Sequence, residues 1–161
     1  MGLREVSNIL WRERHLLELL LFKLEEEQLL LASGSSRWLA RATGEVQIVM
    51  DEIKQVELSR AIELDAATAQ MGLGSGVSLK ELAEKSPPPW KELFKEHHRG
   101  FLELTDEIAS VAKINRELLS RGFQATSDAL MEFDESPVSL YSPHGMTNER
   151  VSHPLLIDEV M

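Results

Sequence analysis

The sequence predicts an all-α fold: an elongated antiparallel helical bundle or coiled coil of three long helices, one short connector helix and a disordered C-terminal tail. Three observations carry this. Apolar residues recur at alternating three- and four-residue steps through three long segments. Glycine and proline gather at the joints between those segments. Strand-forming residues are scarce, with a single tyrosine and few Val-Thr runs.

The first helix follows Leu3, Val6, Leu10, Leu17, Leu20, Leu24 and Leu31, with Glu13 and Glu27 as the two polar misses. Ile9, Leu16, Leu19, Leu21, Phe22 and Leu30 widen the stripe beyond a strict seam, so this helix is expected to pack against two neighbours. Gly34 supplies a left-handed stop, which ends the helix near Ala32, and Ser35 or Ser36 is expected to cap the next one.

The second helix carries Leu39, Ala42, Val46, Val49, Ile53, Val56, Leu64 and Ala67, interrupted by Arg60. Gly44 weakens it by about 1 kcal/mol relative to alanine. It ends where Gly72-Leu73-Gly74-Ser75-Gly76 makes helix propagation costly in backbone entropy, and this run reads as a flexible hinge. Ser78 and Glu81 have the spacing of a capping box, which places a short helix before Pro87. The corner Pro87-Pro88-Pro89 follows, and its last proline suits the first position of the next helix.

The third long helix runs from Trp90 to about Phe133, with Phe94, Phe101, Leu104, Ile108, Val111, Leu118, Ala125 and Ala129 in register. His97, Asn115 and Gly122 are the exceptions. At 1.5 Å per residue it would span roughly 60 Å, which argues for an elongated arrangement. Residues 1–133 are thus expected to form the helical domain, and residues 134–161 a flexible tail rich in proline and polar residues. Within that tail, Val138, Leu140 and Tyr141 form an apolar island.

Composition narrows the function. A chain of 161 residues makes one domain by default. The absence of cysteine points to a reducing compartment, and the N-terminus lacks the pattern of a signal peptide, so a cytoplasmic protein is expected. The most apolar run, Leu16 to Leu24, contains Glu18 and Lys23 and is too short to span a membrane. A formal net charge of -10 disfavours nucleic acid as a partner. No Glu-x-x-His pair exists for a di-metal centre, because Arg12, Phe94 and Lys95 stand three residues before His15, His97 and His98. His97 and His98 read instead as a solvated or boundary pair. The glycine run lacks the Gly-Lys-Ser/Thr ending of a phosphate loop, and no local serine, histidine and acid set suggests a triad. The expectation is a binding protein without enzyme activity, cofactor, metal or small-molecule substrate.

Some residues point towards binding. Asn115 occupies a core position, where an amide costs stability and sets register through a specific hydrogen bond. Phe123, Met131 and Phe133 lie partly off the main seam and are either additional core or the wall of a groove for a partner helix. Tyr141 has no periodic structure around it and reads as a recognition motif.

Several motifs, in order, resemble the FlgN family of flagellar export chaperones over residues 3 to 145. They are Glu25-Glu26-Glu27 before Leu29-Leu30-Leu31, the break at Gly34-Ser35-Ser36 before Trp38-Leu39, and Glu57-Leu58-Ser59-Arg60. Leu79-Lys80-Glu81-Leu82, Asn115-Arg116-Glu117-Leu118-Leu119 and Tyr141-Ser142-Pro143-His144-Gly145 complete the set. Ser142 stands where the family often has glycine, and the proline corner and glycine run are particular to this chain. The resemblance implies a cytoplasmic chaperone of flagellar type III secretion that binds the C-terminal segments of hook-associated junction proteins. It implies cargo contacts on the third long helix, through Asn115, Leu118, Leu119, Phe123, Leu130, Met131 and Phe133. It also implies docking on the flagellar export gate through Leu140 and Tyr141. The alternative is a structural or regulatory coiled-coil adaptor with no secretion role; a metal-dependent bundle enzyme is the weaker one.

Overall fold

The computed structural model of the protein describes residues 2–135, which form four helices and, among the described residues, no strand. They are α1 (Gly2–Ala32), α2 (Leu39–Gln70), α3 (Leu79–Lys85) and α4 (Trp90–Glu135). The expected tail lies outside the described residues except for Asp134 and Glu135, which the structure instead assigns to the end of α4. The chain divides into two compact units, Met1–Thr126 and Ser127–Met161.

Side-chain pairs give the helix directions within the first unit. Going up α1, Glu13 meets Arg60, Lys23 meets Glu45 and Glu27 meets Thr43, so α2 runs antiparallel to α1. Arg14 meets His97 and Leu24 meets Asn115, so α4 runs parallel to α1. The α1–α2 turn therefore lies at the end towards which α4 advances.

The core has two apolar clusters. In the first, Val6 and Leu10 of α1, Ala67 of α2 and Phe94 of α4 close on Leu82 and Ala83 of α3, all essentially without solvent contact. This explains how a seven-residue helix persists: two of its residues are buried against the long helices, and a capping box closes its start. The Ser78 hydroxyl accepts the Glu81 N–H at 3.2 Å, and the Glu81 carboxylate accepts the Ser78 N–H at 3.2 Å. In the second cluster, Leu17, Leu20 and Leu24 pack on Val46, Val49 and Ile53, with Leu104, Ile108 and Val111 of α4 against them. Each such leucine contributes about 1.5–3 kcal/mol by leaving water.

Both long helix ends close in the same way. Gly34, at φ 68°, sends its N–H to Leu31, while Ser35 sends its own to Leu30. Gly72, at φ 74°, bonds Ala69, and Leu73 bonds Thr68. These are paired Schellman closures, which need a left-handed residue and so favour glycine. The glycine run is also tied back at its far end, where the Gly76 N–H reaches the Asp65 carboxylate at 3.4 Å.

Two local expectations are corrected. Neither Ser35 nor Ser36 caps α2: Trp38 holds that position, and no side chain accepts a hydrogen bond there. Pro89 does not begin α4 but precedes it, with its carbonyl accepting the Leu93 N–H. Its missing N–H costs nothing at either position, which is why sequence could not separate them.

Candidate functional site

The polar interruptions of the three seams face one another. Glu13 and Glu27 are both buried, as are His97 and Asn115. Between the two apolar clusters, Arg60 donates to Glu13 at 3.0 Å, and its guanidinium lies 5.9 Å from the Phe101 ring centre. Burial pushes the Glu13 carboxyl above its usual range, and the Arg60 charge opposes that shift. Beyond the second cluster, Glu27 accepts from Thr43 at 2.9 Å and from Asn115 at 3.1 Å. The bundle thus alternates apolar and polar levels.

His97 is not a solvated or boundary residue, as expected from sequence, but fully buried. The Trp11 ring meets it edge-on at 4.7 Å, and Arg14 lies 3.5 Å from Nδ1. Burial, together with the nearby Arg14 charge, lowers its pKa to about 4, despite the opposing pull of Glu96. The ring is therefore neutral at pH 7, with Nε2 lacking a partner among the described residues. Gly100 makes room for the Arg14 guanidinium, since a Cβ there would lie 2.9 Å from its central carbon.

Past Asn115 the surroundings of α4 change. Little more than a turn of α1 remains after Glu27, so at equal rise α1 stops about level with Ser120. Leu118 is half-buried, Leu119 is exposed and Phe123 is 64% exposed. Phe123 is thus not additional core: α1 and α2 have already ended in their Gly34 turn. In the second unit, Leu130, Met131 and Phe133 are exposed, Phe133 at 80%. Within the first unit, Leu119 and Phe123 lie one helical turn apart, and within the second, Leu130 and Phe133 are three residues apart.

Asn115 does not belong with these residues. It is 2% exposed, and its amide donates to the Leu24 carbonyl at 2.9 Å and to Glu27, so it serves the interior and presents no surface to a cargo. Leu140 and Tyr141 lie outside the described residues.

A cavity of about 150 Å³ between α3 and α4 is lined by Lys80, Ala83, Glu84, Lys95 and His98. Among the described residues, no three His, Asp or Glu side chains are grouped to hold a metal ion, and no helix is long and apolar enough to cross a membrane.

The sequence left Phe123, Met131 and Phe133 open between core and groove wall, and it named no partners for the polar exceptions of the three long helices. A signal was present: Glu13 and Glu27 are two heptads apart in a register otherwise apolar, and each other long helix carries its own interruption. No curated relative and no solved structure matches the chain. The model of the family described as FlgN protein matches residues 1–149. A match over nearly the whole length, on a chain whose described residues are all-helical and leave apolar side chains exposed on α4, places the chain in the FlgN family, whose members are flagellar export chaperones.

Proposed function

We propose that the chain binds the C-terminal helical segments of hook-associated junction proteins in the cytoplasm and delivers them to the flagellar type III export gate. It acts as a binding protein, without catalysis, metal, cofactor or small-molecule substrate. Its long helices serve as an antiparallel bundle that supports the binding surface.

The observation that carries this reading is the exposure of Leu119 and Phe123 in the first unit, and of Leu130, Met131 and Phe133 in the second, in a chain of the FlgN family. Apolar side chains at helical spacing, left in water, suit an amphipathic helix laid along them. Covering the client's apolar face in this way removes an aggregation hazard before export. Leu118 contributes from the boundary of the surface. Leu140 and Tyr141 are assigned to docking on the export gate.

Calorimetric titration of the full chain with a junction-protein C-terminal peptide tests the reading. Saturable binding is expected, weakened about tenfold or more by Phe123→Ala or Met131→Ala, as for loss of an apolar anchor. Unchanged affinity in both variants, or no binding by the unaltered chain, rejects the assignment.

A further inference from the structure

Trp38 is one of several large apolar side chains of the first unit that lie outside both core clusters, and it is set apart by its place at the start of α2. Its side chain is 49% exposed and belongs to neither core cluster. It stands at the N-cap of α2, where an indole offers no oxygen to the first-turn N–H groups. The Arg37 guanidinium lies 4.9 Å from its ring centre.

Its height in the bundle follows from Glu27. That carboxylate receives the Thr43 hydroxyl from α2 and the Asn115 amide from α4, so Thr43 and Asn115 stand at one level. From there α2 leads back to Trp38 in the direction in which α4 leads forward. Trp38 precedes Thr43 by about 7.5 Å of helix rise, which sets it about level with Ser120, between Leu119 and Phe123. Exposed apolar side chains from two different elements therefore share one end of the first unit.

We infer that Trp38, with Arg37 over its ring, forms a second wall of the client site, against which a client amphipathic helix is held as it lies on Leu119 and Phe123. The inference rests on the client-binding reading above. Continuity with the internal interface identifies the occupant. As far as Asn115, α4 receives a helix that offers Leu17, Leu20 and Leu24 from its inner face. Among the described residues, α1 stops little more than a turn later, and a client helix of the same kind suits the place beyond it. Tryptophan and arginine are also the residues most enriched where binding energy concentrates.

The full chain and its Trp38→Ala variant are titrated with the junction-protein C-terminal peptide, alongside Phe123→Ala. Trp38→Ala is expected to weaken binding about tenfold with an unchanged thermal melt, as for loss of an aromatic anchor. In a chain carrying Trp11→Phe and Trp90→Phe, the remaining Trp38 emission is expected to move to shorter wavelength when the peptide is added. This second measurement does not depend on how Trp38→Ala folds. Full affinity in Trp38→Ala with weakened Phe123→Ala, or an unmoved Trp38 spectrum on saturation, overturns the second wall and leaves the client site standing. No binding by the unaltered chain overturns both.

Discussion

The Asn115 amide reaches from α4 to Glu27 of α1 at 3.1 Å, while the same nitrogen donates to the Leu24 carbonyl at 2.9 Å. This buried pairing is the last polar level before α1 ends, and it sets how far α4 continues beyond its neighbours. An amide at a core position accepts only the register that satisfies it.

Asn115→Ala is therefore expected to destabilise the chain by about 1–3 kcal/mol, because Glu27 is left buried with a lost donor. Urea unfolding followed by circular dichroism measures the change. Replacing both residues, Asn115→Leu with Glu27→Leu, is expected to recover most of that stability, since apolar pairs substitute well for buried polar ones. A double variant no better than Asn115→Ala would show that the amide is not paired with Glu27 in solution.

Arg60→Ala should cost about 2 kcal/mol at pH 7, less than a fully buried pair because the arginine is partly exposed. Removing the guanidinium takes away the charge that opposes burial and raises the Glu13 pKa further. A carboxyl whose folded pKa lies above its unfolded value adds stability below the unfolded value, and this is lost as pH rises through the folded one. The penalty of Arg60→Ala should therefore shrink as pH falls towards 4.5. Denaturation midpoints of both chains between pH 4.5 and 7.5 check this; a constant difference would contradict it.

His97 works in the opposite sense. Its folded pKa of about 4 lies below the ordinary 6.5, so the unfolded chain takes up the proton first as the solution is acidified. Stability from this residue is full above about 6.5 and falls progressively towards pH 4, by on the order of 3 kcal/mol in all. Protonation would also place a second cation beside Arg14. In His97→Phe that part of the pH slope should vanish. An equal slope in the variant, measured by urea unfolding at successive pH values, would assign it to other groups.

Tyr141→Ala should leave the affinity for the junction-protein peptide unchanged while lowering export of the junction protein in cells. Truncation after Glu135 should have the same two effects. The relevant measurements are calorimetric affinity and the amount of secreted junction protein. A truncated chain that has lost peptide binding would show that cargo contacts extend into residues 136–161.

Heptad spacing together with the glycines, prolines and the capping box determined the helices of the described residues, the approximate position of each joint, and the inward faces of α1, α2 and the first part of α4. These features are local: a left-handed glycine ends a helix, a Ser-x-x-Glu box begins one, and a repeating apolar step needs a partner seam. The family was legible too, through the resemblance of several short motifs taken together, and the family model matches residues 1–149.

Only the tertiary structure decided what the polar exceptions do. Glu13, Arg60 and Glu27 read one at a time as interruptions, while Asn115 reads as a register-setting amide without a named partner and, through the resemblance alone, as a cargo contact. Their pairing depends on the relative level of helices far apart in sequence, which no local pattern encodes. That same level decides where α1 stops beside α4, and hence which apolar residues are core and which remain in water. Leu104 and Phe123 differ little in sequence character; one has α1 and α2 beside it, and the other has passed their end.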